Sequence, residues 1–475
     1  MIARFVLALL FLAVLCFQAE AGSVTVSGAP DQTAVEVTAY NNNLALVKDV
    51  RNVKLPKGEG ELQFMDVASQ IMPVTVHVKS LSDPAAFTVL EQNYEYDLMN
   101  PNKLMDKYVG KQIKIVDENK FLDRKEILDA TLLSNNQGQP VFRIKDEIWL
   151  GHGGYRVLPK LPEDLIAKPT LTWLVSNQTD KPHTLEVSYL TNQINWKADY
   201  VVILDKEDKQ ADLSGWVTVD NKSGAAYHNA RLKLVAGEVH TVQPPVPASV
   251  AVPRRMKAEL EARPQLEEKA FFEYHIYDLQ RKTTIKDNQT KQIRFTEASG
   301  VKVDKELLVY GVKTYFARQY REENPKQPVN VYVKLKNSKE NRMGMPLPAG
   351  IMRLYKQDQD GSQQFVGEDK IVHTPKNEEV KLKIGEAFDV VAERRQTDFK
   401  QITTRLWESE WEITLRNRKD ADVTVGIVEP LIGNWEVISK SHPFEKKDAF
   451  TIRFDVKVPK DKELKVKYRI RVGLP

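Results

Sequence analysis

The chain has 475 residues, of which 42% are hydrophobic and 28% charged, with a formal net charge of +4. That balance excludes a disordered chain and suits two to four folded domains. So slight a positive excess over so many residues argues against a nucleic-acid partner, which needs a basic stripe.

Residues 1–21 read as a secretory signal. Arg4 gives a positive start, an apolar run covers 5–17, and Ala19-Glu20-Ala21 forms a small-x-small cleavage pattern. The run is shorter than the roughly 20 apolar residues of a membrane-crossing helix. Cys16 follows Leu15, whereas lipoprotein processing wants a small residue there, so cleavage is expected after Ala21. That removes the sole cysteine of the sequence, and with it disulfides, iron–sulfur clusters and cysteine-ligated zinc. The expected location is periplasmic or extracellular, with no transmembrane segment left after signal cleavage.

From there the dominant pattern is period-two alternation, the mark of strands with one buried face. Val74, Val76 and Val78 show it in a first β module, 22–85. A small β insert follows at 86–160. In it, Gly151-His152-Gly153-Gly154 lies between Ile148-Trp149-Leu150 and Tyr155-Arg156-Val157 and reads as a hairpin turn; no helix follows that would bind phosphate. A central β domain occupies 165–335 and is interrupted by Pro244, Pro245, Pro247 and Pro253. Residues 256–269, rich in Glu, Lys, Arg and Ala, then suggest a short solvated helix broken at Pro264, so 244–269 is read as linker plus helix. The last module, 336–475, is opened by Met345-Pro346-Leu347-Pro348-Ala349-Gly350. Its alternations Trp411, Ile413, Leu415 and Leu464, Val466, Tyr468, Ile470, Val472 suit an immunoglobulin-like sandwich. The expected fold is all-β, built of several antiparallel sandwich modules, because no helices long enough for parallel crossovers occur between the strands. A loose recurrence supports this: strands end in Asn177, Asn221, Asn337 and Asn417, each followed by a polar turn. Asn suits such places because it tolerates left-handed backbone and bonds nearby main chain.

Chemical signatures are sparse. The eight histidines include no pair at metal-ligand spacing and no His-Glu-x-x-His. There is no Gly-x-Ser-x-Gly and no phosphate-binding loop. No catalytic residue, metal or cofactor is therefore expected. Asp199, Asp212, Glu238, Glu368 and Asp369 are available for sugar chemistry, but sequence does not give their separation. The aromatics Trp196, Tyr200, Trp216 and Tyr274, with Asp199 and His275, form the candidate set for binding a ligand or partner. The competing reading is that such rings plug sandwich cores.

Several segments in matching order carry a resemblance: Trp196-Lys197-Ala198-Asp199-Tyr200, Leu213-Ser214-Gly215-Trp216-Val217, Glu273-Tyr274-His275, Pro346 to Gly350, Phe365-Val366-Gly367-Glu368-Asp369 and Gly385-Glu386-Ala387-Phe388-Asp389. Over roughly 165–475 the chain resembles the bacterial domain-of-unknown-function family numbered 4139. The resemblance implies an exported bacterial protein and brings no activity and no catalytic residues. Two functions follow as expectations. The first is a non-enzymatic envelope protein that binds or scaffolds envelope proteins. The alternative is a protein that binds or hydrolyses envelope polysaccharide. An exposed apolar patch or sheet edge favours the first; a cleft with two carboxylates and an exposed Trp favours the second.

Overall fold

The computed structural model describes residues 23–95, 100–119, 124–151, 154–160, 168–237, 239, 266–271, 274–320 and 325–474. The signal with Cys16 and the stretch 244–265 lie outside the described residues. The described chain is all-β and forms five sheets, with one α-helix, Pro101–Lys107. That helix starts where Asn100 accepts the Lys103 N–H at 3.0 Å, with Pro101 in the first turn.

Alternation explains the strands directly. Along Ile194–Leu204 every second side chain, from Ile194 through Trp196, Ala198, Tyr200 and Val202 to Leu204, is buried. A pleated strand sends those residues to one face, and burial of each large side chain contributes about 1.5–3 kcal/mol.

Three separate cores result. The first joins a four-stranded sheet, an eight-stranded sheet and the near part of a ten-stranded sheet, and runs from Val35 to Leu382. The second lies between the far part of the ten-stranded sheet and a five-stranded sheet, from Leu307 to Val472. Strand Gln289–Tyr310, 22 residues long, serves both: Ile293 and Phe295 enter the first core, Leu307 and Val309 the second. The third core belongs to the insert, where Met105 and Tyr108 pack on Ile113, Ile115, Leu132 and Phe142 of a five-stranded sheet.

Most strand pairs are antiparallel, as expected. Four are parallel: Ser23–Ser27 with Gly58–Met65, Gln32–Tyr40 with Tyr227–Ala236, Ile194–Leu204 with Gly350–Gln357, and Gln289–Tyr310 with Val423–Pro430. The connections between these partners run through intervening strands, and alternation carries no trace of them. The helix expected across 256–269 is corrected at its end. Leu266–Phe271 is a strand paired with Tyr274–Leu279, because pairing at a sheet edge overrides a weak helical preference. Among the described residues no helix is long and apolar enough to cross a membrane.

The recurrent asparagines prove to be one device used four times. Asn177, Asn221, Asn337 and Asn417 are all buried. Each side-chain amide donates to carbonyls of a neighbouring segment: Asn177 to Leu55 and Pro56, Asn221 to Lys286, Asn337 to Met345 and Pro375, Asn417 to Val458 and Pro459. Each Oδ1 accepts a nearby backbone N–H, from Thr179, Ser223, Gly344 and Lys419 respectively. None has left-handed backbone. The residue is there for its amide, which replaces strand pairing where two chain segments cross.

Candidate functional site

Strand Ile194–Leu204 lies between Gln210–Asn221 and Gly350–Gln357, so the segments singled out in the sequence meet on it. Alternation divides them between two faces.

On the inner face, Trp196 is 2% exposed and donates its indole N–H to Val235 O at 3.3 Å. Tyr200 is fully buried and donates its hydroxyl to Pro348 O at 2.7 Å; Tyr277 donates to Pro346 O at 3.0 Å. The rings pack edge to face, Trp196 with Tyr277 at 6.4 Å, Tyr277 with Phe295 at 5.7 Å, and Phe295 with Tyr200 at 6.0 Å. Burial raises the Tyr200 hydroxyl far above its ordinary value, so it remains a neutral donor. Two glycines make the packing feasible. A Cβ at Gly215 would lie 2.8 Å from the Phe295 ring, and one at Gly350 would lie 2.2 Å from Ala198 O. This knot fastens the Pro-Leu-Pro-Ala-Gly segment to the sheet. Trp196 and Tyr200 are core side chains and present no ring to a ligand.

On the outer face, Asp199 Oδ1 lies 3.0 Å from Arg353 Nη1, and its Oδ2 accepts from the Thr218 hydroxyl at 3.3 Å. Arg353 also reaches Glu368, Nε to Oε2 3.2 Å. Its hydrogen bond to Asp199 holds the Arg353 guanidinium above its ordinary value. Trp216 stands directly opposite Asp199 in the register and is half-buried, with the Arg294 guanidinium carbon 5.4 Å from its ring centre. Tyr274 and His275 lie on a different sheet, in Tyr274–Leu279, where both are half-buried. The Tyr274 ring lies over Gly237, whose absent Cβ would come within 2.6 Å of it. Burial first, and the nearby His275 second, push the His373 imidazole below its ordinary value.

The structure therefore brings Trp196, Asp199, Tyr200 and Trp216 together, two inside and two outside, and leaves Tyr274 and His275 elsewhere. Asp199 and Glu368 share one arginine, Arg353. Burial raises the Glu429 carboxyl, but that group is sealed in the second core, 2.6 Å from Arg394, with neither side chain exposed. Both were legible as charged residues at inward positions, after Val425 and Ile427 and after Val390 and Ala392. Among the described residues no group of three or more His, Cys, Asp or Glu is placed to hold a metal ion.

A second feature went unread in the sequence. The insert exposes large apolar side chains on its sheet: Ile127 at 62%, Ile148 at 63%, Leu150 at 86% and Tyr155 at 70%. The signal was Ile148-Trp149-Leu150, consecutive apolar residues in a module too small to bury both faces.

No curated protein matches the chain. The family model described as domain of unknown function (DUF4139) matches residues 185–475, which leaves the insert outside the match. That segment is more than half of the chain, and the chain belongs to this family.

Proposed function

We propose that this is an exported cell-envelope protein that binds or scaffolds other envelope proteins and performs no reaction of its own. The observation that carries the reading is the set of apolar side chains exposed together on the insert's sheet, Ile127, Ile148, Leu150 and Tyr155, although Val74, Val372 and Phe388 are also exposed elsewhere. Patches of this kind mark interaction surfaces. The chemistry-bearing residues of the matched segment are engaged elsewhere: Trp196 and Tyr200 in the core, Asp199 and Glu368 on Arg353. The signal-like residues 1–21 support export.

A second reading, glycan binding, is favoured by Trp216, half-exposed among polar side chains on an open sheet face. Crosslinking and co-purification of the tagged protein from its native envelope separates the two, with protein and sugar analysed in the same eluate. A reproducible protein partner free of sugar supports the first reading. Enrichment of polysaccharide overturns it in favour of the second.

A further inference from the structure

We infer that Glu147–Leu150, the outermost strand of the insert's sheet among the described residues, is a pairing site for an extended, apolar-alternating segment of a partner protein. The inference rests on the binding reading above and names its contact.

The geometry starts from a tight hairpin. Glu147–Leu150 pairs with Val141–Ile144, Glu147 opposite Ile144, around Lys145 and Asp146, with Lys145 at φ 54°. In an antiparallel pair, mutually hydrogen-bonded residues alternate with residues whose N–H and C=O point away. A two-residue turn makes Ile144 and Glu147 a bonded pair, hence Phe142 and Trp149 as well. The Gly151 N–H donates to Pro140 O at 3.0 Å and continues the series. The N–H and C=O groups of Ile148 and Leu150 therefore point outward, where a further strand would pair.

The side chains fit the same purpose. Phe142 and Ile144 enter the insert core, so Ile148 and Leu150, opposite Arg143 and Val141, project from the opposite face at 63% and 86% exposure. Sheet edges are ordinarily protected by charge, proline or brevity. The edge strand Glu445–Asp448 of the ten-stranded sheet follows that rule, reading Glu-Lys-Lys-Asp. Glu147–Leu150 is equally short but carries a single charge, reading Glu-Ile-Trp-Leu, with every residue exposed.

The size of the edge selects the occupant. Four residues span about 13 Å, whereas a stable interface between rigid bodies buries about 800 Å² per partner over 20–30 residues. A second copy docked rigidly here gains too little. A flexible strand gains main-chain hydrogen bonds from Ile148 and Leu150 and lays alternate apolar side chains beside theirs, as in strand addition generally.

The test uses the full chain and a synthetic peptide, acetyl-Lys-Thr-Val-Thr-Val-Thr-Lys-amide, with single-residue hydrogen exchange. Saturating peptide is expected to slow the Ile148 and Leu150 amides at least tenfold. Leu150→Pro, which removes one of those N–H groups, is expected to weaken binding at least tenfold, and Ile148→Lys to weaken it with the fold intact. N-methylating the peptide at alternate valines is expected to abolish the effect. Unchanged exchange at these amides, or protection confined to another edge, overturns the inference. So does slow exchange there in the protein alone, which would place a segment of this chain on the edge. A concentration-dependent dimer lost in Leu150→Pro also overturns it and assigns the edge to a second copy. Recovery of one partner protein equally by wild type and Leu150→Pro removes this inference while leaving the binding reading in place.

Discussion

Asn417→Ala isolates the device that closes the second core. The Asn417 amide donates to Ala421 O at 2.8 Å and to Val458 O and Pro459 O at 3.2 Å each, while its Oδ1 accepts the Lys419 N–H at 3.0 Å. Two amide hydrogens serve three carbonyls, so the side chain makes the equivalent of three hydrogen bonds. At about 1 kcal/mol net for each, alanine is expected to cost about 3 kcal/mol, because the backbone partners stay buried without a replacement. Since 1.4 kcal/mol is a tenfold change, local opening is expected to become roughly a hundredfold more frequent. Hydrogen exchange of strands Leu406–Asn417 and Thr451–Val458 reads this without requiring the whole chain to unfold in one step. Asn417→Asp is expected to cost at least as much, because a carboxylate then faces three carbonyl oxygens. Exchange in Asn417→Ala within threefold of wild type would refute the reasoning and reduce the four asparagines to ordinary turn residues.

Three further outcomes follow from the same structure. Tyr200→Phe leaves Pro348 O without its donor and is expected to cost about 1.5 kcal/mol by urea titration, with the ring packing retained; no change would remove the tyrosine knot as the fastening of that segment. Arg394→Met strands Glu429 in a sealed core and is expected to cost about 3–5 kcal/mol, most of it recovered when Glu429→Leu is added; equal instability of single and double variants in a thermal melt would contradict the paired arrangement. The hydrogen bond from Arg416 holds Glu393 below the usual carboxylate range, and Lys465 and Lys467 do the same for Glu412. Folded, these carboxyls bind fewer protons than unfolded, so their stabilisation is present above the unfolded value near 4.3 and declines as pH falls through the folded values. Glu412→Gln is expected to lessen the fall in urea midpoint between pH 7 and pH 3, and an unaltered pH profile would count against the ion pairs.

Alternation made the fold class legible because one buried face per strand leaves its mark in every second residue, as in Ile452, Phe454, Val456 and Val458. It could not show which strands meet. Gly350–Gln357 pairs in parallel with Ile194–Leu204 across more than a hundred intervening residues, and nothing in either strand names its partner. The same limit applied to the candidate site. Trp196 and Asp199 were both visible as chemistry-bearing residues, but three positions along a strand place them on opposite faces. Which face was core depended on Tyr277, Phe295 and Pro348, contributed by distant segments. The asparagine recurrence was legible as a pattern while its cause was not, since the carbonyls it satisfies lie up to 122 residues away. The exposed edge at Glu147–Leu150 was not legible: the glycines at 151–154 point to a hairpin into Tyr155–Val157, whereas Glu147–Leu150 pairs back on Val141–Ile144 and Tyr155–Val157 lies at the opposite edge of the same sheet.

The most direct test of the binding account is site-specific photocrosslinking in intact cells. A photoreactive amino acid is placed at position 150 in one strain and at position 457, an exposed lysine on the far part of the ten-stranded sheet, in another. The account predicts one discrete protein adduct from position 150 in the envelope fraction and none from position 457. Glycan adducts at position 150, or identical adduct patterns from both positions, would contradict it.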